Sequence, residues 1–353
     1  MFLAFKEIKH EKIRYGLIVM MIFLISYLIF MLSSLAIGLA EENTQALESW
    51  QTQKVVLNKN ANISLSQSVL NKDDLKNASL SKNEAYLGQV PVVVKANKRS
   101  SISAQFLGVK RDQFIYQDQE LIAGRKSKNK SEVTADQALQ LKGYKLGDKI
   151  KLNDSKQKYT IVGFVKNAKI NIAPIIYGDL ATWKKLKVAM PNVVASGIIS
   201  KNADYKLNHK NAKTYDVKTF INKLPGYTAQ NMTFELMIGF LFIISLIIIA
   251  VFLYILTMQK MQNYAVMRAQ GIPAKTLVAA TIGQAVILVV TGAVIGLLLM
   301  ELTILMMPKS VPMDFTPAIM LAGVGGMLLM GIIGSLIPVR SILKVDPVKA
   351  IGE

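Results

Sequence analysis

The side chains that most often carry out chemistry in proteins are scarce in this sequence. It contains no cysteine and two histidines, His10 and His209. Neither histidine has a second histidine, a cysteine or a set of spaced carboxylates nearby, so the pattern predicts no metal site. The segment most like a phosphate-binding loop, GRKS at 124–127, lacks the Gly-Lys pair and the preceding strand that such a loop needs. We therefore predict a protein that is not an enzyme and carries no ATPase motif of its own.

Four long apolar segments dominate the rest of the chain. They cover residues 16–40, 237–258, 277–307 and 318–339, and each exceeds the roughly 20 residues that a helix needs to cross the hydrocarbon core of a membrane. The first segment follows basic residues and ends in small residues, as a signal peptide does. Its apolar run is longer than the about 7–15 residues of a signal-peptide core, so we interpret it as a retained anchor. The prediction is a membrane protein with four transmembrane α-helices.

Charges beside these segments predict the orientation of the chain. Basic residues outnumber acidic ones before the first helix, between the second and third, and after the fourth, whereas loop 308–317 balances Lys309 with Asp314. By the positive-inside rule, both termini and loop 259–276 are cytoplasmic. Residues 41–236 and the loop 308–317 then lie outside, and the protein is expected to be a multi-pass protein of the plasma membrane.

The segment 41–236 is predicted to be a large extracytoplasmic α+β domain. Between residues 41 and 235 it has 31 Lys+Arg and 17 Asp+Glu. Because no nucleic acid is expected outside the membrane, we interpret this charge as a solvated surface near an anionic envelope. Without cysteines, the domain must be held by a core and not by disulfides.

Several stretches of this domain have the pattern of strands. They are QVPVVVKA, SISAQFLGV, and the pair GYKLGDKIKLN and QKYTIVGFVKN with a turn at 153–155. PIIYGDLATWKKL predicts a strand that leads into a helix capped near Asp179. The residues after the first apolar segment and before the second are expected to extend those helices beyond the membrane.

Two cytoplasmic pieces have features of their own. Residues 1–15 place Phe2, Phe5, Ile8 or Lys9, and Ile13 near one helix face with charges opposite, which predicts an amphipathic helix along the membrane surface. The alternative is a cytoplasmic extension of the first membrane helix. In the loop 259–276, Gly271 and Pro273 predict the end of one helix and the beginning of another, because proline is tolerated in a first turn but not in a helix interior. A plain linker would account for the charges of this loop equally well.

The order of these elements, with two cytoplasmic motifs, resembles the permease subunits of the MacB/FtsX-like ABC transporters. The first motif follows the second helix, the other forms the tail, and GYKLGDKIKL and YTIVGFVKN are similar to the external domain of that family. The motifs are Met267-Arg268-Ala269-Gln270-Gly271, and Pro338-Val339-Arg340-Ser341 leading to Asp346-Pro347-Val348-Lys349-Ala350. The resemblance covers essentially the whole chain.

This resemblance implies a permease that acts as a homodimer in the lipid bilayer with two copies of a cytoplasmic ABC ATPase. ATP would be used by that partner, and its closure would be passed on by mechanotransmission to the external domains. The coupling residues would be Met267, Arg268, Ala269, Gln270, Gly271, Ile272 and Pro273. No permanently bound cofactor and no nucleic-acid partner are expected.

Within the family, FLAFKEIKHEKIRYGLI and SSLAIGLAEEN are most similar to the haem exporter permeases. This similarity implies a Gram-positive bacterium and haem as the exported substrate, and nothing in the composition or spacing indicates haem. Two alternatives stay open. One is export of another amphiphile, such as a glycolipid, a lipopeptide or an antimicrobial; the other is FtsX-like signalling to an envelope enzyme.

If haem is the substrate, its iron would need a methionine, tyrosine or carboxylate ligand, because cysteine is absent and the histidines are badly placed. The outer ends of the first two helices offer such residues and aromatic side chains that could pack against the ring. The candidates are Phe30, Glu41, Glu48, Trp50, Tyr227, Met232, Phe234 and Met237. The alternative is that the aromatic residues anchor the helices at the interface and the methionines serve packing.

The apolar segments also contain one isolated carboxylate and a set of glycines. Glu301 is an isolated carboxylate in the third segment, which marks it as a functional candidate, although its closeness to Pro308 also fits an interfacial position. Glycines in the last two segments predict close packing between the third and fourth helices. They are Gly283, Gly292, Gly296, Gly323, Gly325, Gly326, Gly331 and Gly334.

Overall fold

The computed structural model describes residues 7, 10–207, 209–308 and 311–344. These residues form two compact units, a helical unit from Met1–Gly38 and Asn231–Glu353 and a sheet unit from Leu39–Gln230. The tail motif at 346–350 lies outside the described residues. The predicted amphipathic helix at 1–15 also lies largely outside them, and its last residues belong to the first long helix.

The secondary structure comprises nine α-helices and thirteen strands within the described residues. The helices are α1 (Lys12–Ser49), α2 (Phe114–Gln117), α3 (Gln137–Leu141), α4 (Leu180–Leu186), α5 (Val217–Asn222), α6 (Tyr227–Gln259), α7 (Met261–Ala269), α8 (Ala274–Met306) and α9 (Pro317–Leu343). The first strands are β1 (Lys54–Asn58), β2 (Leu70–Asn71), β3 (Glu84–Ala96), β4 (Ile102–Val109), β5 (Leu121–Gly124) and β6 (Glu132–Asp136). The others are β7 (Lys149–Leu152), β8 (Lys158–Val165), β9 (Lys169–Ile170), β10 (Ala173–Asp179), β11 (Val193–Ala195), β12 (Gly197–Ser200) and β13 (Ala212–Asp216).

Four of the helices, α1, α6, α8 and α9, are long and apolar enough to cross a membrane. The sheet-rich segment lies between α1 and α6 in the chain. This confirms the predicted fold class of four membrane helices with a large α+β domain between the first two. Helix α1 continues to Ser49 and α6 begins at Tyr227, so both helices extend beyond their apolar segments.

Glycines allow the helices of the helical unit to approach one another closely. A Cβ atom at Gly292 would lie 2.7 Å from Ile22, and one at Gly296 would lie 2.7 Å from Ser26, so these glycines of α8 face α1. Gly331 of α9 meets Val289 of α8. The predicted pairing of the third and fourth helices through glycine is therefore only partly right. The four-residue spacing of Gly292 and Gly296 creates a flat strip on α8 that receives the first helix instead.

The sheet unit is built around an eleven-stranded sheet within the described residues. Nine of its strands follow the order β13-β1-β12-β3-β4-β10-β6-β8-β5, while β7 pairs with β3 and β8 and β9 pairs with β10. Because β7 joins β3 to β8, the strands β3, β4, β10, β6, β8 and β7 form a closed ring of strands. Strand β3 includes QVPVVVKA, β4 lies in SISAQFLGV, and β7 pairs with β8 in the two following stretches. These strand predictions are confirmed.

Helix α4 covers part of the sheet and follows directly from β10. Its first turn is capped by Asp179, whose Oδ1 accepts a hydrogen bond from the backbone N–H of Ala181 at 2.8 Å, as the sequence predicts. The indole of Trp183 is fully buried on β3 and β4. The interior of the ring of strands is filled by residues such as Val94, Phe106 and Tyr159.

Candidate functional site

The segment predicted to couple the permease to an ATPase is a short helix with a glycine-dependent end. In α7 the N–H of Gly271 donates to the carbonyl of Arg268, and the N–H of Ile272 donates to the carbonyl of Met267, each at 3.0 Å. Gly271 has φ +88°, so the end of α7 is a Schellman motif, which requires a left-handed residue at this position. Pro273 then caps α8. The predicted helix break at Gly271 and Pro273 is confirmed.

A cluster of charged and polar residues holds the junction between α6 and α7. Lys260 Nζ lies 3.2 Å from Glu7 Oε2, 3.7 Å from Glu11 Oε1 and 3.1 Å from the hydroxyl oxygen of Tyr15. The side-chain amide of Gln284, on α8, also donates to Glu7. We call these five residues the foot cluster. It joins α1, α8 and the residues before α1 to the start of α7.

The electrostatics of the foot cluster keep Lys260 charged. Burial alone would lower the pKa of Lys260, but its contacts with Tyr15, Glu7 and Glu11 together raise that pKa above its ordinary value. Beside it lies an open cavity of about 480 Å³, lined by Glu7, His10, Glu11, Lys260, Asn263, Tyr264 and Met267. An ammonium group held by two carboxylates and a phenol is suited to joining helices, since removing any partner leaves a charge poorly compensated.

Helix α7 is also anchored through its apolar side. Tyr264 is 2% exposed and packs with Leu277 of α8 and Ile342 of α9. Burial raises the pKa of Tyr264 above its ordinary value. The residues Ala269, Gln270, Gly271 and Pro273 remain exposed. The turn that follows α7 is therefore exposed, whereas α7 itself packs against α8 and α9.

In the sheet unit, the end of α1 is bound by the turn between β9 and β10. Lys169 forms an ion pair with Glu42. The N–H groups of Asn171 and Ile172 donate to the carbonyls of Asn43 and Glu42 at 3.1 and 3.2 Å. Ile172 has φ +64°, a left-handed conformation that is rare for a β-branched residue. The ion pair and the two hydrogen bonds hold this part of α1 against the sheet and offset the cost of the strained backbone at Ile172.

Four of the predicted haem-site residues belong to the helical unit. Phe30 is 1% exposed and packs near Gly323, so it is a core residue of the helices. Met232 and Met237 are 59% and 43% exposed on α6, and Phe234 is half-buried. The two methionines are five residues apart, which separates them around the helix. Glu301 is exposed on α8.

The other four predicted residues belong to the sheet unit. Trp50 is 3% exposed and stacks edge-on against Tyr177, with ring centroids 6.4 Å apart, so it is a core residue. Tyr227 is half-buried on the same core. Glu41 and Glu48 are exposed, and Glu48 accepts a hydrogen bond from Thr44 at 2.6 Å. Burial therefore argues against Phe30 and Trp50 as surface contacts, whereas the other six candidates have exposed atoms.

Sequence reasoning missed the residues that bind these elements together. Lys260 and Gln284 looked like ordinary residues beside and inside apolar segments, and Lys169 was one of many lysines. The exposed apolar residues of α1 and α6 were also missed, because both helices are apolar on every side. Apart from Ile13 and Met232, which the sequence marks as an amphipathic-face residue and a haem candidate, the most exposed are Leu17 and Met20 on α1 and Leu236 and Phe240 on α6.

Comparison with known proteins gives matches over the helical unit and over the whole chain. Residues 235–347 match the family described as FtsX-like permease C-terminal. The chain is 26% identical over 353 residues to the hemin transport system permease protein HrtB of Staphylococcus haemolyticus, covering 99% of both chains. It is 27% identical over 351 residues to the protein of that name in Staphylococcus epidermidis, again covering 99% of both.

Other similarities, to a solved structure and to a mycobacterial permease, cover part of the chain. The periplasmic region of MacB from Actinobacillus actinomycetemcomitans is 14% identical with a TM-score of 0.35, covering 48% of this chain and 90% of that one. An uncharacterized ABC transporter permease of Mycobacterium tuberculosis is 25% identical over 236 residues, covering 65% of this chain and 64% of that protein.

Proposed function

Because this chain is an ABC transporter permease of the FtsX-like type, we propose that it exports haem from the membrane as a homodimer driven by a separate ATPase. The observation that carries the proposal is the similarity to hemin transport permeases over 99% of the chain. In this proposal both termini and α7 face the cytoplasm of a Gram-positive bacterium, and the sheet unit lies outside. The role is haem detoxification.

Helix α7 is the element through which ATP-driven motion would enter. Its end is exposed at Ala269, Gln270, Gly271 and Pro273 and is shaped by the Schellman motif, so it can contact an ATPase without unfolding. Force applied there would reach α8 and α9 through Tyr264 and reach α1 through Lys260. Mechanotransmission in this protein would consist of motion passed on through these packed helices and ionic contacts.

A second copy of the chain would contact α1 and α6. These helices leave apolar side chains uncovered, including Leu17 and Met20 on α1 and Leu236 and Phe240 on α6, each more than half exposed. With four membrane helices among the described residues of each copy, one copy offers little room for a pathway. A homodimer would place the first two helices of both copies around the substrate.

Because histidine and cysteine are not among the candidates, the available ligands for haem iron are thioether sulfur, phenol oxygen and carboxylate oxygen. Met232 and Met237 supply thioethers, Tyr227 a phenol, and Glu41 and Glu48 carboxylates, while Phe234 supplies an apolar face. Phe30 and Trp50 are each buried in the core of their own unit and would not contact the ring. The purified dimer with added haemin is expected to show a haem absorption band that weakens in Met232→Leu, Tyr227→Phe or Glu41→Gln. The matched control is Met258→Leu, since Met258 is an exposed methionine of the same helix.

The cellular experiment is deletion of the gene followed by growth and cell-associated haem measurements under added haemin. Loss of tolerance with raised haem content, restored by the wild-type gene, supports haem export. Unchanged tolerance and unchanged haem content would rule it out. Altered resistance to an amphiphilic antimicrobial, or altered activity of an envelope hydrolase with normal haem tolerance, would support the corresponding alternative function.

The coupling role of α7 has its own experiment. Replacing residues 268–271 with Gly-Ser-Gly-Ser should leave membrane insertion intact but abolish the dependence of ATPase activity on substrate. Reconstituted complex in lipid is the appropriate sample, because it reports the ATPase rate with and without haemin. Normal stimulation by haemin in this variant would contradict the coupling role.

A further inference from the structure

A row of lysines crosses the outside of the ring of strands where β7 closes it. In the register of β3 and β7, Lys95 is directly opposite Lys151, and in the register of β7 and β8, Lys151 is directly opposite Lys158. All three are exposed. We call Lys95, Lys151 and Lys158 the lysine row.

The sequence pattern of the strands fixes the direction of these side chains. Val94 and Ile150 are fully buried and Tyr159 is 1% exposed, all in the interior of the ring of strands. Because neighbouring residues of a strand point to opposite faces, the lysine next to each of them must point outward. The three lysines therefore share one face on three adjacent strands about 4.8 Å apart.

Like charges directly opposite each other on a sheet are destabilising. The nearby acids offset only part of this charge. Asp154 is 96% exposed and lies 3.0 Å from Lys95, an arrangement that contributes little in water, and Asp148 is paired with Arg99. Among the described residues, no carboxylate lies within 4.0 Å of the ammonium groups of Lys149, Lys151 or Lys158.

The surface beside the lysine row is concave. A groove of about 550 Å³ is lined by Lys95, Ala96, Asn97, Asp148, Lys149, Lys151 and Lys158. Its walls carry four lysines and one aspartate. An extended chain with negative charges repeated along its length would complement the charge of this groove and reduce the repulsion between the lysines.

We propose that the lysine row and its groove bind a linear, phosphate-bearing polyanion. The chemistry is that of ammonium groups on successive phosphates, with affinity supplied by released counterions. This inference goes beyond haem export and relies on the proposed function only in placing the sheet unit outside the cell, where the polymer would be part of the envelope. Binding there would hold the sheet unit in the envelope next to the membrane.

The test uses the full-length protein in nanodiscs of zwitterionic lipid, with fluorescently labelled linear polyphosphate as the probe. The wild type should bind, and log affinity should fall linearly with log salt. In the variant Lys95→Gln, Lys151→Gln, Lys158→Gln, affinity at about 150 mM salt should fall at least tenfold and the salt slope by roughly 2, since each contact with a single strand contributes about 0.7.

The matched control is Lys59→Gln, Lys82→Gln, Lys218→Gln, which removes the same charge from exposed positions of the sheet unit. It should change the affinity less than about threefold. Equal losses in the two variants, or no binding by the wild type, would overturn the proposal. If the protein bound anionic phospholipid vesicles more tightly than polyphosphate at equal phosphate concentration, the ligand of the lysine row would be a membrane surface and not a polymer. That result would overturn the proposal.

These outcomes are independent of haem. The probe is bound without haemin or ATPase, so failure of haem export would leave this result interpretable. The variant with all three lysines of the lysine row replaced should melt at or above the temperature of the wild type, because the substitutions relieve repulsion. That measurement verifies that a loss of binding is not a loss of folding.

Discussion

The ammonium group of Lys260 lies 3.1 Å from the hydroxyl oxygen of Tyr15 and 5.2 Å from the centre of its ring. This pair connects the start of α7 with the first membrane helix, 245 residues earlier in the chain. A displacement of α7 would therefore act on α1 directly, in addition to the adjoining α8.

Removing the charge of Lys260 should loosen this connection. Lys260→Met leaves Glu7 without its cation and leaves Glu11 with Arg14, 3.4 Å away. Because the group is only partly desolvated, we expect a loss of about 1–3 kcal/mol. Thermal unfolding in detergent should show a lower melting temperature, and the reconstituted complex should lose stimulation of its ATPase by haemin. Lys260→Arg should retain much of both properties.

The control for this variant is Lys275→Met, at an exposed position in the first turn of α8. A surface substitution of this kind is expected to change stability by no more than about 0.5 kcal/mol. If Lys275→Met and Lys260→Met lowered the melting temperature equally, the foot cluster would have no special role.

The end of α7 should depend on glycine at one position. Gly271 has φ +88°, so Gly271→Ala should cost about 1 kcal/mol of local stability, and Gly271→Asn less, because asparagine tolerates the left-handed region. Hydrogen exchange of the peptide covering 264–272 should become roughly fivefold faster in the alanine variant. Gly239→Ala, at an open site in the regular part of α6, should leave that exchange unchanged; similar acceleration in both would argue against the Schellman motif.

The contact between α8 and α1 should be sensitive to a single methyl group. At Gly292 a Cβ would lie 2.7 Å from Ile22 Cγ2 and 3.0 Å from the backbone nitrogen of Phe23, which cannot move aside easily. Gly292→Ala should therefore cost about 1–3 kcal/mol through overpacking. Gly325→Ala is the matched control, since nothing lies within 4 Å of its added Cβ. Melting temperatures in detergent distinguish the two, and an unchanged value for Gly292→Ala would be inconsistent with this packing.

Stability of the sheet unit should decline as pH rises through the pKa of Asp136. Burial raises that pKa from 3.8 to about 6, although the N–H groups of Ala138 and Ala168 and the charge of Lys169 act in the opposite direction and Glu42 adds to the increase. Because the folded-state pKa lies above the unfolded one, the stabilisation is complete below about pH 4 and is lost towards pH 7. The difference of about two units corresponds to about 3 kcal/mol.

The measurement for Asp136 compares urea unfolding of the wild type and Asp136→Ala at several pH values between about 4 and 7, the range over which the carboxyl loses its proton. The variant loses two hydrogen bonds and should be less stable, but its stability relative to the wild type should improve as pH rises. A difference between the two that does not change with pH would contradict the raised pKa.

The sequence was sufficient for the membrane helices, because an uninterrupted apolar run of more than about 20 residues is typical of a membrane span and rare in a soluble core. It was also sufficient for local elements with clear chemistry, such as the helix cap at Asp179 and the break between Gly271 and Pro273. These features depend on neighbouring residues only. Local rules are therefore reliable where capping groups and backbone preferences decide the structure.

Features that depend on distant residues could not be predicted. Gly292 and Gly296 of α8 were assigned to the wrong neighbour, because a strip of small residues indicates close packing but does not identify the helix that approaches. Trp50 and Phe30 were candidates for the substrate site because of their positions along the chain, and burial of both depends on tertiary packing. Lys260 obtains its partners from Glu7, Glu11 and Tyr15 near the N-terminus, which no local pattern around residue 260 reveals.

The closed ring of strands has a consequence for how the protein is made. Strand β10, at Ala173–Asp179, lies between β4 and β6, so the ring cannot close until the chain has been synthesised past residue 179. Until then β4 and β6 have open edges, which are templates for pairing with other chains. Contacts between distant parts of the chain also form slowly. Biogenesis is therefore most vulnerable to aggregation during the interval between synthesis of β3 and synthesis of β10, and a nascent chain stalled in that interval would need a chaperone.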